Sequence, residues 1–546
     1  MGLESYLYGP RWRNSGVASF SSNPMGQTKR FWSRDEISAR ILAGDSLLIY
    51  NNNLLRIPQS WLNAHPGGSL AILHFVGRDA TDEIDAYHCD DTMKKIKTYV
   101  IGTVETSKDG WEPLVPPLMT GWVRKLDADG KMAWHNEATA LPPTDISSEI
   151  LLVQKDNSLL QPQGPTLKNL TPPPSDLSLK TQYQHSAAYK ELHKRIISAG
   201  LYKTRYLTGY GPEIARYILL AVLSAVAYSK DWLVPSAICL GLLWHQLVFT
   251  VHDLGHMGVT HDWTLDRLIA IILADFIGGL SVGWWVDNHN VHHLVTNHPT
   301  HDPDIEHLPF LAISTAFFNS LWSTYYKRTM TFNRVSALLV SMQHKLFYIL
   351  LGFGRFNLYA NAYGYLIRKA FDHRRARGGR WAWWLEVIGV VFFWCWFGAL
   401  LKGCGSWSRA LTYLIVSHVV TSPLHVQIVL SHFSMSTADL GPTESFVHRQ
   451  LRTTTDVICP PKLSFVHGGL HLQVTHHLFP RLPRHNLREA SVLVKEFAKE
   501  QGLVYAEFGF ISGNGEVLSV LKGVADQARI VGMVADTEIR EAMDKK

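Results

Sequence analysis

The residues of this chain best suited to chemistry are its 27 histidines, and they are unevenly spread, with ten between His245 and His307 and eight between His425 and His485. Three short groups stand out. His252 and His256 frame HDLGH, His289, His292 and His293 form HNVHH, and His476 and His477 follow Gln473 in QVTHH. Positions i, i+3 and i+4 share one helical face, so each group can present its imidazoles in one direction. Imidazole suits iron, zinc, copper and nickel, so ligand chemistry alone does not choose the metal. Ligand number narrows the choice: seven histidines and a glutamine exceed one tetrahedral zinc and fit a pair of irons.

A separate pair lies upstream. His65 opens His65-Pro66-Gly67-Gly68, and His88 follows after the helical stretch SLAILHFVGRDATDEIDAY. A haem iron with two axial imidazoles needs two histidines facing each other across a pocket, and a Pro-Gly-Gly turn lets backbone approach the porphyrin edge. No CxxCH is present, so ligation and packing alone would hold the haem. HPGG, GRDATDEI and the later YVIGTV resemble the cytochrome b5 family over about 75 residues. That resemblance implies haem b with His65 and His88 as its ligands.

The elements that must position these residues are of two kinds. Ser33 and Glu36 form a capping-box pattern ahead of EISARILAG, which Gly44 would close, and LLIY and LLRI flank Asn51 to Asn53 as a hairpin signal. This predicts a small α+β unit. From 105 to 184 the composition turns to Pro, Ser, Thr and Asp with scattered anchors such as Trp111 and Trp122, which reads as a partly ordered tether. Beyond it lie apolar runs of the roughly 20 residues a spanning helix needs. They pair as two hairpins, 214–229 with 232–251 and 384–401 with 411–430, which gives four spans. Basic clusters before each hairpin, Lys190 to Arg205 and Arg368 to Arg380, place both entrances and the intervening histidines on the cytosolic face. Residues 265–285 and 337–365 are also apolar but interrupted, by Asp266 and Asp275 in one and Gln343, His344, Lys345 and Arg355 in the other. Both read as interfacial or re-entrant.

Composition closes off other classes. A formal charge of +6 on 546 residues and 18% charged residues do not suggest nucleic-acid binding or wholesale disorder. The five cysteines have no CxxC spacing, against a zinc ribbon or a disulfide framework. The N-terminus lacks an apolar signal core and has Tyr6 where myristoylation would want Ser or Thr, so it is expected in the cytosol.

HDLGH, HNVHH, QVTHH and the following LFPRLPRHNLR resemble the membrane fatty-acyl desaturase family, and Gln473 at the head of the third box resembles its front-end branch. The family implies a further histidine from the last span. His425 and His432 share a face there; His432, at the cytosolic end, is favoured, and His418 is expected to be a packed core residue. The predicted metal set is therefore His252, His256, His289, His292, His293, His432, Gln473, His476 and His477, with Gln473 also catalytic. Asp253, Asp287, Asp302 and Asp304 could orient ligand imidazoles.

The predicted architecture is a multidomain one: a 1–27 extension, a cytochrome b5-like α+β domain at 28–106, a linker at 107–200, an all-α membrane desaturase with four transmembrane helices and a cytosolic histidine-rich cap at 201–495, and a cytosolic tail at 496–546. GGLHLQVTHHLFPRLPRHNLR, WEPLVPP and QHKLFYILLGFGRFNLY look like fungal sphingolipid delta-8 desaturases. The resemblance implies a multi-pass endoplasmic reticulum protein using O2, two non-haem irons and NADH-derived electrons delivered by NADH-cytochrome b5 reductase. Its substrate would be a ceramide or other lipid within the membrane. A delta-5 or delta-6 acyl-lipid desaturase, or a lipid hydroxylase, is the alternative; a membrane-anchored haem carrier or a metal transporter accounts for fewer of the motifs.

Overall fold

The computed structural model describes residues 30–127, 129–138, 163–372 and 379–544. The expected 1–27 extension, and most of the basic run HRRARGGR, fall outside the described residues.

The N-terminal unit is built on a four-stranded sheet in the order Phe31–Trp32, Val100–Val104, Asn53–Ile57, Ser46–Tyr50, with the first pair parallel and the others antiparallel. The local rules hold here. Ser33 caps the helix Arg34–Leu42 by accepting from the Glu36 amide, while the Glu36 carboxylate accepts from the Ser33 amide at 3.0 Å. Asn51 and Asn52 both take positive φ (46° and 59°), the two-residue turn that matches the twist of the flanking strands. Trp32, Ile37, Ile41, Leu47, Ile49 and Leu54 form the core.

That core also contains Trp111, one of the anchors expected in the partly ordered stretch, together with Leu114 and Leu170. The Trp111 indole donates to the Gly77 carbonyl at 3.0 Å. A hairpin, Trp122–Leu126 with Met132–Asn136, is pinned back by Trp134 donating to the Leu42 carbonyl at 2.8 Å. The helix Leu179–Ser198 then buries Tyr189, Leu192 and Ile196 against Val474, Leu478, Phe479 and Leu487, far along the chain. The single aromatic anchors were legible in the sequence, but without periodicity their partners were not.

Five described helices, not four, are long and apolar enough to cross a membrane: Tyr206–Ser229, Leu233–Gly255, Arg334–Gly352, Arg380–Gly403 and the broken Trp407–Phe433. A sixth crossing would be possible only if Trp263–Ile277 and Val282–Leu294, bent by 114°, were one span. The extra candidate, Arg334–Gly352, was discounted in sequence for polar residues such as Gln343. In the fold that side chain is buried, donating to the Ala312 and Leu521 carbonyls at 2.9 and 2.8 Å, so it costs the helix little. Leu233–Gly255 is the central helix. A Cβ on Gly241 would stand 2.5 Å from the Ser417 carbonyl, so only glycine lets the two helices approach this closely. Ile214, Ile218, Leu219 and Val222 point outward from the first helix, as lipid-facing residues would.

The tail expected at 496–546 is integrated as well. Strand Glu507–Gly509 pairs parallel with Asp456–Ile458, and the helix Phe510–Asp544 packs along Arg334–Gly352 through Val517, Leu521 and Val524.

Trp111→Ala should destabilise the N-terminal unit by about 3–5 kcal/mol, the usual cost of emptying a buried aromatic site. Limited proteolysis of the full chain in rising urea would show that unit cleaved at lower urea, and an unmoved transition would exclude Trp111 from its core.

Candidate metal centres

The upstream pair is set by two helix ends. His65 follows the helix Gln59–Ala64 and His88 caps Thr81–Tyr87, which brings the rings to 6.1 Å between centroids. Each ring spends its Nδ1 on a backbone carbonyl, His65 on Gly68 and His88 on Ile84, both at 2.9 Å. With the proton on Nδ1, each Nε2 keeps a lone pair, the tautomer a metal-ligating imidazole takes. Burial lowers both pKa values, that of His88 to about 4, so both rings are neutral at pH 7. This donor set fits a bis-imidazole haem.

Downstream, four helices contribute. His252 is near the end of Leu233–Gly255 and His256 caps it; His289, His292 and His293 lie on Val282–Leu294; His476 and His477 lie on Gln473–Leu478; His432 is on Ser422–Phe433. The fold sorts them into two groups. His252, His256, His289, His293 and His476 can bring their ligating atoms within 4.8 Å of one another, and so can His292, His432 and His477. Two metal ions, each with imidazole ligands, are what such a division can hold. His425 is elsewhere, beside Gly354, and His418 is buried among Trp244, Phe356 and Tyr359.

Orientation is imposed from behind. The His292 Nδ1 lies 2.9 Å from an Asp302 oxygen, and Asp302 also accepts from the Asn297 and Asp304 amides. His477 Nδ1 lies 2.9 Å from Gln450 Oε1, and the Gln450 amide donates to the His293 carbonyl at 2.7 Å. His432 Nδ1 faces the Thr453 carbonyl at 3.3 Å. All three rings of the second group thus have Nδ1 occupied and Nε2 free. Asp456 accepts from the Val474 amide at 2.9 Å and so fixes the first turn of Gln473–Leu478.

Several buried atoms in the same place have no hydrogen-bond partner among the described residues: His252 Nδ1, His256 Nε2, His293 Nδ1, His477 Nε2 and Gln473 Oε1. Orphaned buried polar atoms are costly singly, and their concentration here fits cations as the missing partners. Gln473 is 4% exposed, one turn ahead of His476 and His477.

Of the four acids expected to orient imidazoles, Asp302 contacts His292 and Asp304 stands 3.8 Å from it. Asp253 stands 3.7 Å from His252 Nδ1 and also accepts from the Tyr210 hydroxyl at 2.6 Å and faces Arg484, whereas Asp287 lies against the Gly68 turn. Gln450, Thr453 and Asp456 were missed. They come from a helix and strand, Phe446–Thr453 and Asp456–Ile458, that carry no histidine-box signature, and only the fold brings them to the site.

Residues 230–509 match the fatty acid desaturase family, and residues 33–105 match the cytochrome b5-like heme/steroid binding domain. A Delta 8-(E)-sphingolipid desaturase of Emericella nidulans is 42% identical over 527 residues, covering 91% of this chain and 95% of its own. Proteins of the same description from Komagataella phaffii and Kluyveromyces lactis are 43% and 41% identical, over 91% and 94% of this chain and 94% and 96% of theirs.

Gln450→Leu should lower metal affinity about 10- to 100-fold, the usual effect of removing a group that orients a ligand imidazole. Metal analysis after dialysis against graded chelator measures it; retention equal to that of the unaltered chain would mean that Gln450 does not orient His477.

Proposed function

Because the chain belongs to the fatty acid desaturase family, we propose that it is an O2-dependent sphingolipid desaturase that places a delta-8 double bond, in the (E) configuration, in the long-chain base of ceramides. The carrying observation is the conjunction, on one chain, of two adjoining histidine groups and a bis-imidazole haem site, in a sequence 42% identical to such a desaturase along nearly its full length.

His65 and His88 would hold haem b. His252, His256, His289, His293 and His476 would hold one iron and His292, His432 and His477 the other, with Gln473 offering its unpartnered amide oxygen beside them. A reduced iron pair supplies the O2-dependent removal of hydrogen from two adjacent unactivated methylenes, which no acid–base side chain achieves. The chain's own residues do the rest. Asp302, Gln450 and the Thr453 carbonyl hold the ligands in one tautomer, and Val474, Leu478 and Phe479, each fully buried, wall off water on the third-box side. Electrons would come from NADH through NADH-cytochrome b5 reductase to the haem.

We place the protein in the endoplasmic reticulum membrane with four crossings, the histidine groups and both termini being cytosolic. Arg334–Gly352 lies along the interface in this reading. Arg529 donates to the Ser341 carbonyl at 2.7 Å, midway along that helix, and Lys522 pairs with Asp526 nearby, charges that a membrane interior would penalise. A site at the cytosolic surface can hold a polar head group at the interface and measure along the chain from it, which sets the position of the double bond.

Expression in a yeast without delta-8 unsaturation, with lipid analysis by mass spectrometry, should give a new diene only in long-chain bases. New double bonds confined to glycerolipid acyl chains would instead establish the acyl-lipid activity, and a hydroxylated product the hydroxylase. His65→Ala should remove most product. His432→Ala should lose about one of the two non-haem irons while His425→Ala keeps both, and the reverse pattern would transfer the ligand to His425.

A further inference from the structure

The two histidine sites are joined by one ring contact. Helix Thr81–Tyr87 ends one residue before His88, and the ring of Tyr87 meets that of His293 edge to face, with centroids 6.3 Å apart and planes at 88°. His293 is the hub of the histidine groups: its Nε2 lies 3.0 Å from that of His289 and 3.1 Å from that of His476, and its ring stacks on His477 at 4.0 Å. One imidazole therefore borders both groups. Around Tyr87 the two units are locked together. The His88 carbonyl accepts from Arg481 at 2.8 Å, His74 packs on His301 at 5.3 Å, and Leu294 joins the apolar cluster of Leu62 and Phe75.

Resting on the functional reading above, we propose that Tyr87 is the bridge through which electrons pass from the haem to the metal centre, by way of its ring contact with His293. Each passage moves one electron: the haem held by His65 and His88 goes from ferrous to ferric, and a non-haem iron at the His293 site goes from ferric to ferrous. Two passages supply the two electrons that reduction of one O2 to two waters needs beyond the two taken from the substrate. No proton travels with them through Tyr87. Its hydroxyl is buried without a hydrogen-bond partner among the described residues, so no acceptor is in place to take its proton. The aromatic ring is the working part, and the hydroxyl is dispensable.

The test is stopped-flow spectroscopy of the full-length holoenzyme. The haem is first reduced by NADH and reductase, then mixed with O2 and ceramide, and its reoxidation is followed by absorbance. Tyr87→Phe should reoxidise within about twofold of the unaltered enzyme, and Tyr87→Leu should slow the substrate-dependent phase by about an order of magnitude with its haem spectrum unchanged. A small redox mediator that reduces the non-haem irons directly should restore product in Tyr87→Leu. Wild-type reoxidation in Tyr87→Leu, equal slowing in Tyr87→Phe, or failure of the mediator to restore product would each overturn the bridge. If the unaltered enzyme itself shows no substrate-dependent phase, the desaturase reading fails instead.

Discussion

Eight imidazoles buried within a few ångströms of one another hold a fixed aim best where the second nitrogen of the ring has an assigned partner. Burial disfavours the protonated ring except at His292, where Asp302 and Asp304 raise the pKa to about 9, and an unassigned N–H would turn at random among its neighbours. The fold meets this constraint for the second group by spending Asp302, Gln450 and the Thr453 carbonyl on Nδ1 atoms. The haem pair is treated in the same way with backbone carbonyls alone. Much of the architecture around the histidines is the scaffold of those acceptors. Phe446–Thr453 carries Gln450 and Thr453, and Asp456–Ile458 anchors the third box through Asp456 while pairing with Glu507–Gly509.

A second constraint is that helix ends, more than helix faces, do the positioning. His252 and His256 sit where the central helix stops, His432 near the end of the broken last span, and His88 at the end of a seven-residue helix. Ends are where backbone carbonyls and amides lie unpaired, so a residue there can be held by neighbouring backbone as well as by packing. The same logic brings the two units together. His88, at a helix end, leaves its own carbonyl free, and Arg481, three residues beyond the third box's helix, takes it.

The sequence made the chemistry more legible than the wiring. Histidine spacing marked every member of the two groups except His432, which only the family resemblance implied, because i, i+3 and i+4 positions must share a face, and Ser33, Glu36 and the Asn51-Asn52 turn marked local elements for equally local reasons. The division into groups of five and three was invisible, since it depends on how Val282–Leu294 turns His289 and His293 one way and His292 another between partners nearly two hundred residues downstream. Gln450 was invisible because a glutamine in HRQLRT has no spacing to betray it. The length and apolar character of Arg334–Gly352 were masked for a related reason: Gln343 interrupts the apolar run in sequence, yet tertiary contacts satisfy that side chain.

The tether shows most clearly what composition cannot carry. Proline and serine enrichment suggested a partly ordered tether with scattered anchors between the two units. Trp111, Leu114 and Trp134 fasten the described parts of that stretch to the N-terminal core, and Leu179–Ser198 fastens the next part to the third-box region. Fusion then does more than raise the local concentration of a donor. Docking buries Ala86 in the same core as Tyr189 and Val474, and Leu294, one residue past His293, in the core of the haem unit, so the residues flanking each redox site are structural members of the other unit. Neither unit can reach its full packing without placing its clustered histidines beside those of its partner, and the proposed electron path is a consequence of how the two cores are shared.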